Sequence, residues 1–458
     1  MHLAKSNRRS FLGGAALGMS GLVFGNLLPR RALAQAAVQR KFVFAYFEGG
    51  WDLLLGLDPR DPATTRAAEQ QIEPGYGQLA ATYQARGVQR RGSLSFGPAV
   101  PPEMLAHAAD VSIVNAVTMD TASHEAGRRY FITGRFPRGI TAVGSSTPSE
   151  IIAQVGDRLP IPHLSAGVES YSTGLPAHAA ALSINSLNDL LVALTPFTSL
   201  DPAVLSAVEA YQDEGAGCEG TRLDRDGLTT SALRSQKRAR EYIRAQLAQL
   251  FDLTRTDVEM TRLRELYGIG QGSTVASTEV LSFVAGQALK QRVTQCVSVR
   301  VAGELDTHSN WAQDQAPRQE SGWRNLAALI SDLKATESAE VPGQSLFEET
   351  TILAFSEFGR TPLFNNLRGR DHFIGSSCLV AGAGVKRGLV IGRSSSVGMM
   401  PIDTDLMTGH AVENATAAQR ETGNIAILTP KHILATVLAS AGLDAAYLRT
   451  APIRALLA

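Results

Sequence analysis

The chain has little of several things that would place it in a class at once. Three cysteines (Cys218, Cys296 and Cys378) stand far apart in 458 residues, with no Cys-x-x-Cys pair. That excludes a disulfide framework and a thiolate zinc knuckle, and leaves buried free thiols as the expectation. An excess of charge is missing too: 43 Lys and Arg balance 43 Asp and Glu, so composition gives no case for nucleic acid or another polyanion as a partner. Beyond residue 34 no run is long and apolar enough to span a bilayer, and the body of the chain reads as soluble. Aromatic residues are scarce at 6%, but hydrophobic residues at 44% suffice for a large core. The length suits one large domain with insertions, or two domains.

What is present begins at the N-terminus. Asn7-Arg8-Arg9-Ser10-Phe11-Leu12 leads into a glycine-interrupted apolar stretch up to Leu28, then Pro29-Arg30-Arg31 and Ala32-Leu33-Ala34. Paired arginines, a moderately apolar stretch and an Ala-x-Ala end resemble a twin-arginine export signal. The expectation is passage through the twin-arginine translocase, cleavage after Ala34, and a periplasmic or extracellular mature protein. The glycines and the Ala-x-Ala end disfavour a membrane anchor. Loss of residues 1–34 removes five basic residues and no acid, leaving 38 basic against 43 acidic groups and a net charge of −5.

Short apolar runs recur along the rest: Lys41 to Tyr46, Val111 to Val117, Cys296 to Val301, Thr351 to Phe355 and Ser377 to Ala381. They read as buried strands of a parallel sheet. Helical patterns lie between them, around Ser149 to Ala153, Leu233 to Leu266 and Gly322 to Leu333, so an α/β layer fold is expected. The polar, glycine-rich Gln212 to Gly227 marks the start of a helical insertion around 212–290 within a domain spanning 35–458.

Four blocks at strand ends carry the chemistry. The most distinctive is Ser356-Glu357-Phe358-Gly359-Arg360-Thr361-Pro362, followed by Asn365-Asn366 and Gly369-Arg370-Asp371-His372. Glu357 and Asp371 offer oxygen ligands, His372 an imidazole, and Arg360 and Arg370 forked donors for a tetrahedral oxyanion. In the second, Asp306 and His308 are two apart, so an extended segment points both to one side, where they can share an ion. In the third, Gly49-Gly50-Trp51-Asp52 allows a tight turn that presents Asp52 above the sheet edge. In the fourth, Ser123 precedes a helical run from Glu125 to Thr133, closed by Gly134-Arg135. Ser123 fits an N-cap, and a hydroxyl at a helix N-terminus also suits an anion. His124 beside it has less structural purpose. Surface ion pairs, turns and caps are the plainer explanation of each block alone. Together the three histidines and four acids form a mixed N/O set suited to one or two divalent ions, zinc or manganese.

With these blocks in order the sequence resembles the bacterial domain-of-unknown-function 1501 family, whose members resemble the alkaline phosphatase and sulfatase superfamily. The resemblance runs from Phe42 to about Leu443 and is most specific over Ser356 to Thr361 and Gly369 to His372. It implies an alkaline-phosphatase-like three-layer sandwich with a mostly parallel central sheet and helices on both faces. It places Asp52, Asp306, His308, Asp371 and His372 as metal ligands, and implies an exported hydrolase of phosphate or sulfate esters on small molecules or polymers. The nucleophile would be Ser123, Thr121 or a metal-bound water, with Arg360 or Arg128 stabilising negative charge. The sulfatase motif Cys-x-Pro-x-Arg is missing, which disfavours a formylglycine enzyme. The alternative is a non-catalytic exported protein that keeps the fold and a metal, or that docks a partner on the charged Leu233 to Leu266 stretch.

Overall fold

The computed structural model describes residues 40–195, 201–215 and 247–458. The export segment 1–34, Cys218 and the 216–246 part of the expected insertion lie outside them. Eight strands form the central sheet: β1 (Lys41–Phe47), β2 (Val111–Thr118), β3 (His163–Ala166), β4 (Leu182–Ile184), β5 (Cys296–Ala302), β6 (Thr350–Phe355), β7 (Gly375–Gly382) and β8 (Val390–Ile391). Their order is β8-β2-β7-β6-β1-β5-β3-β4. All five expected strands are present. One correction concerns direction, because β7 runs antiparallel to both neighbours, β2 and β6. An apolar run buried on both faces looks the same whichever way it points, so the sequence carried no direction signal.

Alternation along β1 builds two cores. Val43, Ala45 and Phe47 face one side, against Leu281, Phe283 and Val284 of α3 (Thr278–Lys290) and Trp323, Leu326 and Ile330 of α4 (Trp311–Ala335). Phe42, Phe44 and Tyr46 face the other side. There they meet Phe131 of α1 (His124–Thr133), Ile151 and Ile152 of α2 (Thr147–Val155), and Leu434 and Val437 of α5 (Pro430–Ser440). Full burial of each such side chain stabilises the fold by about 1.5–3 kcal/mol. The result is the three-layer α/β sandwich with a mostly parallel sheet. Cys296 and Cys378 are buried free thiols, and burial pushes the Cys296 thiol well up.

The described part of the charged Leu233 to Leu266 stretch is not one helix. A short 3₁₀ turn covers Leu247–Phe251, and a new helix starts at Val258 with Asp257 as its N-cap, accepting from the Met260 N–H at 3.1 Å. No helix among the described residues is long and apolar enough to cross a membrane.

Candidate metal centre

The C-terminal ends of β1, β5 and β6 adjoin one another, the edge at which open α/β sheets place ligands. After β1 the chain turns through Gly49 and Gly50, at φ +107° and +82°. A Cβ on Gly49 would lie 2.6 Å from the Leu305 backbone nitrogen, and one on Gly50 would lie 2.6 Å from the Phe358 ring. The absence of side chains there is what lets the three loops close on one point.

That point is Asp306. Its Oδ1 lies 3.0 Å from His372 Nε2 and 3.1 Å from His308 Nε2, and its Oδ2 lies 3.3 Å from His124 Nε2. The His308 and His372 Nε2 atoms are themselves 3.0 Å apart. Phe358 packs under the rings of His124 and His372 at centroid distances of 4.8 and 4.4 Å. Each ring is oriented through its other nitrogen. His124 Nδ1 meets Glu357 Oε1 at 2.9 Å, His308 Nδ1 meets Asp371 Oδ1 at 2.6 Å, and His372 Nδ1 meets the Ala122 carbonyl at 2.6 Å. Acceptors at the three Nδ1 atoms aim every Nε2 inward, the arrangement that second-shell acceptors impose on metal-ligating histidines.

The residues fit a divalent ion. His124, Asp306 and His372 each bring a ligand atom within 4.8 Å of the others, the single such grouping among the described residues. His124 Nε2 is buried and has no hydrogen-bond partner, an orphan that an ion would satisfy. Two ligands about 2.0–2.1 Å from a tetrahedral zinc lie roughly 3.3–3.4 Å from each other, close to the separations above.

Charge completes the description. Burial disfavours the Asp306 anion, yet hydrogen bonds from Arg360 and His372 and the charge of Arg360 hold its carboxyl well below the usual range. Burial acts likewise on Glu357, but the hydrogen bond and charge of His124 together with backbone N–H groups, that of Gly49 among them, outweigh it, so this wholly buried acid stays low. Burial pulls His124 down, but the Glu357 contact and Asp306 carry it above its ordinary value. Burial dominates at His372 and lowers it.

Several expected residues have other duties. Asp52 is 1% exposed and does not join the histidines. Its Oδ1 accepts from the Leu54 and Leu55 N–H groups at 2.8 and 3.3 Å. Its Oδ2 accepts from Trp311 Nε1 at 2.7 Å and pairs with Arg370 at 3.0 Å. Glu357 and Asp371 orient His124 and His308 rather than joining the close His124–Asp306–His372 grouping. Arg360 is not open to an oxyanion: its guanidinium is buried, donating to the Gly49, Gly50 and Arg370 carbonyls and to Asp306 Oδ1 at 2.6 Å. Arg370 is equally spent, on the Thr361 and Glu73 carbonyls and between the Trp311 and Phe364 rings. Ser123 caps α1, accepting from the Ala126 N–H at 3.4 Å and donating to Glu125 at 3.1 Å. Arg128 is held by Glu169 at 2.7 Å. Sequence reasoning missed Asn365, whose Nδ2 donates at 2.9 Å to both Asp371 Oδ1 and the His308 carbonyl. Its place in the most distinctive block was the available signal.

Residues 39–417 match the model of a family described as protein of unknown function, DUF1501. The chain belongs to that family. No curated protein matches this DUF1501 member. Among solved structures, it is similar to Ps i-CgsB in complex with k-i-k-neocarrahexaose, at 10% identity and a TM-score of 0.39, covering 91% of this chain and 75% of the other. It is also similar to the lipoteichoic acid synthase LtaP from Listeria monocytogenes, at 8% identity and a TM-score of 0.39, covering 92% and 77%.

Proposed function

We propose that this DUF1501 member is an exported hydrolase of phosphate or sulfate esters that depends on a divalent ion, zinc or manganese. The observation that carries the reading is the inward convergence of His124, His308 and His372 on Asp306, with His124 Nε2 buried and making no hydrogen bond. These four residues would hold the ion, and Glu357, Asp371 and Asn365 would fix the rings. When bound, the ion supplies Lewis acidity toward an ester oxygen and makes a hydroxyl or water more acidic. The chain's own part is to orient the three imidazoles through their Nδ1 partners and to keep Asp306 ionised through Arg360. Export rests on the twin-arginine segment, and the translocase is its partner during that step.

The test is elemental analysis of purified protein, wild type against His124→Ala/His372→Ala, with an ester screen alongside. Near-stoichiometric zinc or manganese, lost in the double variant, is expected, with affinity lower by more than about 100-fold, or 2.7 kcal/mol. Metal content equal in both proteins overturns the reading. One observation favours the non-catalytic alternative: the Ser123 hydroxyl, Arg360 and Arg370 are all spent on structure. Bound metal with no turnover of any phosphate or sulfate ester would establish it.

A further inference from the structure

A second site lies along the same sheet edge, at its β8–β2 flank. Within β2, Ala116 takes φ +60°, and the pairing with β7 slips between Ser376 and Cys378. Such bulges re-aim a side chain, and they gather beside binding sites. The side chain next to this one is Asn115. It is 6% exposed, and its Oδ1 accepts the Ser377 hydroxyl at 2.8 Å. Its Nδ2 has no protein partner among the described residues, and it lines a cavity of about 390 Å³, a size that takes a small molecule.

The unspent nitrogen groups around this cavity are donors, and the Ser95 and Ser396 hydroxyls beside them can donate as well. Gln70 uses its Oε1 on the Arg66 N–H at 2.7 Å, which leaves its amide nitrogen free. Arg393 is half-exposed and gives one nitrogen to Glu413 at 2.6 Å, keeping its other donors. The acceptor here, Asp58, is filled by Arg60 and Ser394. Val390, 37% exposed and paired with the buried Ile113, supplies the apolar part of the lining. Free amide and guanidinium donors beside this apolar part suit a ligand rich in acceptors that also has a flat C–H face. We propose that this cavity binds a single sugar unit bearing an anionic group, a sulfate or a phosphate, independently of the metal centre.

The experiment is isothermal titration of a hexose 6-sulfate, a hexose 6-phosphate and the neutral hexose into wild type and variants. At least one anionic sugar is expected to bind, with the neutral hexose at least tenfold weaker, and the tighter of the two names the source. Binding should survive His124→Ala/His372→Ala, so failure of the metal reading leaves it intact. It should fall at least tenfold in Arg393→Ala and in Asn115→Leu. The second variant also removes the partner of Ser377, so the surface variant Arg393→Ala decides if it folds poorly. No binding of either anionic sugar at millimolar concentration overturns the proposal. So does binding that ignores Arg393→Ala or vanishes with the two histidines.

Discussion

Asp52 and Asp306 follow neighbouring strands at one sheet edge, yet their surroundings are opposite. Asp52 is buried, and its two oxygens are filled by two backbone N–H groups, an indole N–H and a guanidinium. Asp306 has a side chain 44% exposed, with imidazole nitrogens facing it from three elements and one buried guanidinium behind it. An acid whose oxygens meet donors is finished as structure. One whose oxygens meet ring nitrogens that are already oriented through their far side has the surroundings of a metal ligand, the role proposed for it above. The residue type is the same, and the partners decide which role it takes.

The comparison breaks most visibly at Asp52. Asp52→Ala leaves the Arg370 charge buried without a carboxylate, and we expect a loss of about 3–5 kcal/mol in denaturant unfolding. Metal content per folded molecule should not change, and metal loss in folded Asp52→Ala protein would return Asp52 to the ligand set. Acid should sharpen the contrast next. Burial lowers His163 and His432 to about 4 in the folded chain, against about 6.5 when unfolded. The folded state therefore binds fewer protons between pH 6.5 and 4, and stability must fall as pH drops through that window. Each residue contributes up to about 3 kcal/mol to the fall. Melting curves of His163→Gln should show a shallower decline, and an unchanged slope would show that His163 is not a source. The smallest effect is at Ser123. Ser123→Ala should cost about 1 kcal/mol through the lost cap and leave ester turnover in place. Turnover reduced to background with metal retained would make that hydroxyl the nucleophile after all.

How much of this was legible in the sequence follows from the same contrast. β1, β2, β5 and β6 were readable because each is a buried apolar run of six to eight residues. β3, β4 and β8 have four, three and two residues, too few to show a period. Asp306 and His308 were found together because two-residue spacing on extended chain is a local property. The true partners of Asp52 were out of reach, since Trp311 and Arg370 arrive from α4 and from the loop before β7. Likewise, nothing local says that the Arg360 fork closes on the Gly49 and Gly50 carbonyls, which is why it reads from sequence as an oxyanion clamp.

The reversed direction of β7 has a consequence for how the centre assembles. β6 and β7 are adjacent antiparallel strands joined by residues 356–374, so Glu357, Arg360, Asp371 and His372 all belong to one long hairpin. Asp306 and His124 arrive on segments distant in sequence, and the β1–β5 pairing that seats Asp306 joins Phe42 to Cys296. Loop closure costs less entropy for the short connection than for the long one. His372 and the groups that orient His124 and His308 therefore cost less to order during folding, whereas Asp306, His308 and His124 are set in place only when the parallel sheet is complete.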